Sequence, residues 1–256
     1  MSDQARKVQA QFGASAAAYV TSPGHAAGDD LEQLVVWGRA LAPARVLDLA
    51  TGGGHTALAL ASFARHVTAC DVTEPMLGAA RGLLRARGVA ATFVAGDVEA
   101  LPFRDGAFDV VTCRIAAHHF ADVAAAVREV RRVLRPGGSF LLQDILGHDD
   151  AEAAAFVTEV ERRRDPSHVR AYRAVEWKAF LRAAGLTPMD STVVAKGRPW
   201  DEWTTRTRMT PDGRRDLEAF VRAAPERCRA AFDFRIVDGR VESFTDRMLL
   251  LRADRD

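Results

Sequence analysis

Short apolar runs alternate with longer amphipathic segments between about residues 45 and 143. The short runs are typical of buried strands, and the longer segments repeat apolar residues every three or four positions, as helices do. One helix, for example, presents Val123, Val127, Val130 and Leu134 on a single face, and a turn predicted at 135–138 ends it. This order predicts an α/β fold with a doubly wound, mostly parallel sheet and helices on both faces. The predicted strands are 45–50, 67–71, 91–95, 108–113 and 139–143.

The segments on either side of this core have their own organisation. Residues 1–40 are predicted to form an N-terminal helical cap, interrupted at Thr21–Gly24, where Pro23-Gly24 is a natural hinge. Residues 41–256 are predicted to form the main domain, with helical insertions at about 146–172 and 197–231. The cap is therefore a candidate lid over whatever the main domain binds.

The last third of the chain adds the remaining strands. A strand is predicted at 186–195, after a helix that stops at Gly185. Asp238-Gly239 is a hairpin turn between strand-like runs at 232–237 and 241–251.

The segment from Val46 to His55 reads VLDLATGGGH, a strand followed by three glycines and a helix start. Glycines allow a tight turn and let a ligand approach the backbone, and the first N–H groups of the helix face that ligand. In doubly wound sheets, ligands bind at the carboxyl ends of the strands. This turn is therefore the first candidate binding site.

Two ligand classes use such a turn. Gly52-x-Gly54-x-x-Ala57 loosely fits the dinucleotide fingerprint, which would make the protein a nicotinamide-dependent oxidoreductase. That fingerprint faces a pyrophosphate, whereas Asp48 places a carboxylate close to the turn. A carboxylate suits a cationic ligand, and S-adenosylmethionine carries an ammonium and a sulfonium group. Electrostatics therefore favour S-adenosylmethionine, and the oxidoreductase stays as an alternative.

Acidic residues also end the second and third predicted strands. Asp71 follows Gly54 at nearly the spacing at which a carboxylate reaches ribose hydroxyls. Asp97 can accept a hydrogen bond from an adenine amine, while Val98 covers the ring. Both positions favour a nucleoside ligand.

At these residues the chain resembles the class I S-adenosylmethionine-dependent methyltransferases, small-molecule type, related to the ubiquinone/menaquinone-biosynthesis methyltransferases. The resemblance extends over about residues 9–256. The matching segments are Asp48–Gly54, the acid Asp71, GDVEALPF at 96–103, FDVV at 108–111 and RRVLRPGG at 131–138.

The resemblance implies a seven-stranded Rossmann-like sheet, an N-terminal cap and helical insertions. One departure is Ala50, where the family usually has Gly, and Ala is expected to keep φ below zero there. The residues implied to bind S-adenosylmethionine are Tyr19, Asp48, Ala50, Thr51, Gly52, Gly54, Asp71, Val72, Met76, Asp97, Val98 and Arg114.

The segment after strand four contains His118 and His119. The resemblance implies that this segment faces the transferred methyl group and the acceptor. A histidine there can take a proton from a phenol, a ring nitrogen or an acidic carbon. The two histidines are therefore candidate catalytic bases, and a purely structural role is the alternative. Arg114 can contact the cofactor through its backbone or pair with an acidic acceptor.

Composition restricts the partners. The chain has 35 basic and 34 acidic residues and a net charge of +1, which argues against a nucleic-acid partner. No stretch is apolar enough to span a membrane, no metal-ligand spacing is present, and Cys70, Cys113 and Cys228 are too scattered for a disulfide framework. A cytoplasmic monomer or homodimer is expected.

The acceptor is expected to be a small, mostly neutral or weakly acidic ring compound. Aromatic residues in the segments that could roof the pocket favour a planar acceptor. They are Phe12, Tyr19, Trp177, Trp200 and Trp203. A protein that binds S-adenosylmethionine without catalysing transfer stays as a second alternative.

Overall fold

The computed structural model describes residues 2–256, with only the backbone of Pro23. In that range, eight strands form a single sheet in the order β3-β2-β1-β4-β5-β8-β6, and β7 pairs with β8 beside this path. The strands are β1 Arg45–Leu49, β2 His66–Asp71, β3 Thr92–Ala95, β4 Phe108–Arg114, β5 Leu134–Ile145, β6 Thr187–Pro199, β7 Arg235–Val237 and β8 Arg240–Asp254. The predicted α/β fold is confirmed.

Strands β1 to β5 are parallel, and β8 runs antiparallel between β5 and β6. Strand order reverses between β1 and β4, so their carboxyl ends flank the crevice in which this class of fold binds ligands. The seven-stranded mixed sheet is thus present, and β7 is a short addition formed by the predicted hairpin.

Two strands are longer than predicted because their partners extend them. The turn predicted at 135–138 lies within β5, since Leu134 pairs with Phe108 before a bulge restores the register at Ser139. Strand β6 continues to Pro199 because the long β8 partners it as far as Ser243. The helical insertion predicted to start at 197 therefore begins at residue 200.

Helices cover both faces of the sheet and the edge formed by its carboxyl ends. They are α1 Asp3–Gly13, α2 Ala16–Val20, α3 Pro23–Ala26, α4 Asp29–Ala40, α5 His55–Leu60, α6 Glu74–Ala86, α7 Val123–Val133, α8 Ala151–Arg164, α9 Ala174–Ala183, α10 Trp200–Arg206, α11 Pro211–Ala223 and α12 Glu226–Ala230. A 3₁₀ turn covers Ala117–His119. Across residues 2–256, no helix is both long and apolar enough to cross a membrane.

Helix α7 illustrates how the pattern forms an element. Asp122 caps it by accepting from the backbone N–H of Ala125, and Val123, Val127 and Val130 are buried as predicted. The helix ends at Val133 because the chain turns directly into β5.

The core has three parts. One apolar cluster lies between the sheet and helices α7 and α9, and includes the fully buried Trp177. Another packs α4, α5 and α6 on the opposite face. A third joins α8, α10, α11 and α12 to the start of β8 around Trp200 and Phe244. The insertions therefore have their own core, which holds them as a roof beside the ends of β4 and β5.

Candidate active site

The glycine turn after β1 is built from left-handed residues. Ala50, Gly52 and Gly54 have φ values of 50°, 53° and 85°. The expectation that Ala50 keeps φ below zero is wrong, because the turn requires the left-handed region, which costs an alanine about 1–2 kcal/mol. A Cβ on Gly52 would meet nothing within 4 Å, whereas a Cβ on Gly54 would lie 2.8 Å from the Cβ of Ala80. Gly52 keeps the cavity open, and Gly54 permits close packing of α6.

Asp48 supports this turn from below. Its carboxylate is buried and accepts hydrogen bonds from Thr51 Oγ1 at 2.7 Å and Thr112 Oγ1 at 2.8 Å. Burial raises the pKa of Asp48 to about 6. Asp48 and Gly54 do not line the cavity above the turn, so their influence on a ligand is indirect.

Asp71 joins the ends of β1 and β2. Its Oδ2 accepts from the backbone N–H of Gly52 at 2.9 Å, and its Oδ1 accepts from that of Thr73 at 2.8 Å. Burial raises the pKa of this carboxyl group. Asp97, at the end of β3, is half-buried on the same cavity. The two carboxylates therefore face one space from neighbouring strand ends.

That space is a cavity with an empty volume of about 970 Å³, part of it open to solvent. The predicted cofactor-binding residues that line it are Tyr19, Ala50, Thr51, Gly52, Asp71, Val72, Met76, Asp97, Val98 and Arg114. Gly53, the middle residue of the glycine turn, also lines it, and other lining residues had no signal of their own in the sequence: Gln4, Val8, Thr56, Ile115 and Phe120. For Gln4 and Val8, the prediction of a helical cap over residues 1–40 was the related signal, because a cap over the main domain would place its residues at the site.

The N-terminal cap closes this cavity from above. Gln4 Nε2 donates to the carbonyl oxygens of His119 at 3.0 Å and Ser167 at 2.5 Å, and Gln9 Nε2 donates to that of Val72 at 2.7 Å. A Cβ on Gly53 would lie 3.2 Å from the carbonyl carbon of Tyr19. The glycine turn and the cap are thus in direct contact.

A buried ion-pair cluster anchors the cap to the sheet. Arg114 Nη2 lies 2.6 Å from Asp30 Oδ2, and Arg114 Nη1 donates to the carbonyl oxygen of His25. Lys196 Nζ lies 3.0 Å from Asp30 Oδ1. Although burial alone would raise the pKa of Asp30, the two cations lower it. The side chain of Arg114 is therefore engaged within the protein, not presented to an acidic acceptor.

A second cavity, with an empty volume of about 420 Å³ that includes open solvent, adjoins the first beyond the ends of β4 and β5. The two share the lining residues Phe12, Tyr19, His25, Ile115 and His119. Trp203 lines the second cavity, but Trp177 and Trp200 line neither, because both are buried in apolar clusters. Of the three tryptophans in segments expected to be able to roof the pocket, Trp203 alone therefore borders a described cavity.

His118 faces the second cavity and is oriented by Asp144. Its Nδ1 lies 2.6 Å from Asp144 Oδ1, and its backbone N–H donates to Asp144 Oδ2 at 2.8 Å. Burial would lower the pKa of His118, but the Asp144 carboxylate outweighs it and the pKa lies above its ordinary value. With Nδ1 donating to the carboxylate, Nε2 is the nitrogen available to accept a proton.

His119 has different partners. Its Nδ1 lies 3.1 Å from Ser167 Oγ, and that hydroxyl donates to Asp165 Oδ1 at 2.5 Å. Burial, followed by the charge of His118, lowers the pKa of His119 to about 4. His119 is therefore neutral at pH 7 and a weaker base than His118.

His168 completes a cluster of three imidazoles. Its ring centroid lies 5.3 Å from that of His118 and 6.2 Å from that of His119. Burial and the two other histidines lower its pKa strongly. Across residues 2–256, no group of histidine, cysteine and carboxylate side chains has an arrangement that could hold a metal ion.

Comparisons with known proteins agree on one family. The family model for a methyltransferase domain matches residues 47–142. The chain is 36% identical over 222 residues to an uncharacterized methyltransferase, YcgJ, of Bacillus subtilis (strain 168), covering 86% of this chain and 88% of that one. It is 47% identical over 103 residues to a demethylmenaquinone methyltransferase of Thermus thermophilus, covering 40% of this chain and 47% of that one.

Solved structures support the same assignment. A Bacillus halodurans C-125 protein assigned as a methyltransferase matches with a TM-score of 0.85 and 37% identity, over 89% of this chain and 99% of that one. The crystal structure of YcgJ matches with a TM-score of 0.84 and 35% identity, over 88% of this chain and 97% of that one.

The strand order and the acidic strand ends beside a glycine turn define a Rossmann-like fold with a ligand crevice at its carboxyl edge. With these relatives, the chain belongs to the class I S-adenosylmethionine-dependent methyltransferases.

Proposed function

We propose that the first cavity binds S-adenosylmethionine and that the second holds a small acceptor metabolite, aromatic or quinone-like, for methylation at oxygen, nitrogen or carbon. The observation that carries this proposal is the adjacency of the cavities. One is bordered by the glycine turn and two carboxylates, the other contains an oriented histidine, and both share a boundary of five residues.

The residues of the first cavity suit this ligand. Asp71 is positioned to accept from ribose hydroxyls and Asp97 from the adenine amine, while Val98 covers the ring. The open space above Gly52 leaves room for the methionine part. Asp48 stabilises the turn and adds negative potential beneath a cationic ligand, without contacting it.

When bound, S-adenosylmethionine supplies a methyl group to the acceptor atom, as the carbon–sulfur bond breaks and its electron pair stays on the neutral thioether. The protein's main contribution is alignment and exclusion of water, since both cavities lie under the cap and the insertions. His118 Nε2 takes the proton that the acceptor loses, and Asp144 holds the imidazole in the required tautomer. His119, with its low pKa, borders both cavities and contributes to alignment.

Several observations support the identity of the acceptor. One relative is named a demethylmenaquinone methyltransferase, and that name indicates a quinone-type substrate. This chain spans only 47% of that relative's length. Phe12, Tyr19 and Trp203 provide aromatic surface in the second cavity. The residues 1–40 are proposed to act as a lid, and the balanced charge favours a small molecule over a polyanion.

Two measurements test the proposal. Isothermal titration with S-adenosylhomocysteine should show binding, whereas NAD should not bind; the opposite result would support an oxidoreductase. Transfer of a radiolabelled methyl group to a panel of phenols, quinones and amines should give labelled product. Binding of S-adenosylhomocysteine with no transfer to any component of a metabolite extract would indicate a non-catalytic binding protein.

A further inference from the structure

The second cavity contains charged side chains that the proposed methyl transfer does not use. Its cations are Arg164, Arg198 and Arg206, and its carboxylates are Glu161, Asp165 and Asp246. The formal charges of these six balance. The hydrogen-bond partners are distributed unevenly, however, and one of the three arginines differs from the other two.

The carboxylates are already held by other groups. Asp246 Oδ2 accepts from Arg198 Nε at 2.5 Å, with both side chains almost fully buried. Glu161 Oε2 lies 3.3 Å from Arg164 Nη1. Two of the three guanidinium groups are therefore paired with a buried carboxylate.

Asp165 is held without any arginine. It accepts from the backbone N–H of Ser167 at 2.9 Å and from the hydroxyl of Ser167 at 2.5 Å. Another ionisable neighbour is the imidazole of His119, with Nε2 3.9 Å from Oδ2.

Arg206 has no comparable partner. Its side chain is 8% exposed, and its buried Nε makes no hydrogen bond to any residue in the range 2–256. Its Nη1 lies 3.3 Å from Glu202 Oε1 and 3.4 Å from Ser22 Oγ. The guanidinium group also contacts Tyr19, which carries no charge, with the guanidinium carbon 6.0 Å from the ring centroid. The Glu202 side chain is 46% exposed, so solvent screens this pair and it contributes little.

Burying a guanidinium without a buried anion costs free energy, because the charge loses its hydration and gains no opposite charge in return. Burial and the neighbouring charges of Arg164 and Arg198 lower the pKa of Arg206. A ligand that brings one negative charge into the cavity would form a charge-assisted hydrogen bond with Arg206. That bond would offset the free-energy cost of burying the guanidinium charge. The planar guanidinium is suited to carboxylate.

We propose that the methyl acceptor carries a carboxylate and that Arg206 binds it at the end of the second cavity, with the atom to be methylated directed toward His118. This inference rests on the proposed function. A single negative charge fits best, since the three carboxylates that line the cavity oppose a doubly charged phosphate monoester.

The test uses benzoate as a probe, benzamide as its neutral counterpart and phenyl phosphate as the dianion. Each is titrated into the protein saturated with S-adenosylhomocysteine, with tryptophan fluorescence or calorimetry as the readout. Benzoate should bind about tenfold or more tightly than either other compound. Arg206→Gln should abolish that preference, Arg206→Lys should retain part of it, and Arg215→Gln, an exposed arginine on α11, should leave it unchanged.

Equal binding of benzoate and benzamide, or no benzoate binding, would overturn the proposal from wild-type data alone, even if Arg206→Gln fails to fold. Tighter binding of phenyl phosphate would overturn the assignment of a carboxylate. If a folded Arg206→Gln variant still prefers benzoate to benzamide, a residue other than Arg206 binds the carboxylate and the proposal is wrong. The first step of the titration separates this proposal from the function it rests on: failure of S-adenosylhomocysteine to bind contradicts the proposed function, and benzoate added to the free protein still tests Arg206.

Discussion

At the scale of single residues, the carboxylate of Asp71 has two roles. It holds the backbone N–H groups of Gly52 and Thr73, and it borders the cavity where ribose hydroxyls are proposed to lie. Asp71→Ala should therefore weaken S-adenosylhomocysteine binding at least tenfold, since charge-assisted hydrogen bonds contribute about 1.5–3 kcal/mol each. Calorimetric titration measures this directly. Asp216→Ala, at an exposed position, is the control, and an unchanged dissociation constant for Asp71→Ala would remove Asp71 from the site.

The proposed base leads to a second residue-level prediction. His118→Ala should lower kcat by about 10²–10⁴-fold and leave S-adenosylhomocysteine affinity nearly intact, because His118 borders only the second cavity. The rate should rise with pH as His118 loses its proton, at a pKa above 6.5.

Asp144→Asn tests how His118 is positioned. Removing the carboxylate eliminates the charge that raises the pKa of His118, so the rising limb of the pH–rate profile should move to lower pH and kcat should fall. His119→Ala is the comparison. Full activity in both histidine variants and in the double variant would show that the imidazoles are structural and that alignment alone drives transfer.

Asp48 leads to a prediction about stability. Its pKa is raised from 3.8 to about 6, so the folded protein favours the protonated form, and the stabilisation this provides is lost as pH rises from about 4 through 6. This difference between the pKa of Asp48 in the folded protein and its ordinary value corresponds to about 3 kcal/mol in the free energy of unfolding. Asp48→Asn, which has no charge to bury, should gain stability relative to wild type by about this amount between pH 4 and pH 7. Urea unfolding at both pH values measures it, and a pH-independent difference would contradict the prediction.

At the scale of elements, one buried carboxylate anchors the cap to the sheet, together with hydrogen bonds made by Arg114, Gln4 and Gln9. Asp30 on α4 is buried between Arg114 at the end of β4 and Lys196 on β6. Burial lowers the pKa of Lys196 to about 8, against the opposing charge of Asp30. Removal of one member of a buried cluster leaves uncompensated charge, which costs about 3–5 kcal/mol. Packing of the cap against the sheet is therefore expected to weaken when Asp30 is replaced.

Hydrogen exchange tests the cap. Exchange over residues 9–30 should slow when S-adenosylhomocysteine is added, because the cap borders the cofactor cavity. Asp30→Ala should speed exchange in α2 and α3 of the free protein, whereas Asp29→Ala, an exposed neighbour, should not. Equal exchange with and without ligand would contradict the lid.

At the scale of the whole molecule, the sheet, the cap and the insertions meet at the two cavities. The sheet supplies the strand ends, the cap covers the first cavity, and the insertions wall the second. S-adenosylhomocysteine at a hundred times its dissociation constant should therefore raise the free energy of unfolding by about 2.7 kcal/mol. Differential scanning fluorimetry with NAD as the control checks this, and stabilisation by NAD alone would contradict it.

Much of this arrangement was predictable from local pattern. Strand periodicity and the glycine turn predicted the order of β1 to β5, and that order brings Asp71 and Asp97 to one edge. The extension of β5 and β6 was not predictable, because pairing with Phe108 and Ser243 overrode the local turn signals. The positive φ of Ala50 was missed because alanine itself disfavours it.

By itself, then, the sequence determined the fold class, the family resemblance and the crevice in which a nucleoside ligand is proposed to bind, since these follow from periodicity and from residues close in the chain. Only the tertiary structure decided the charge pairs. Arg114 joins Asp30, His118 joins Asp144, and Arg206 is left without a buried anion. The physical reason is that an ionised side chain is defined by what surrounds it once buried, and those neighbours come from distant parts of the chain.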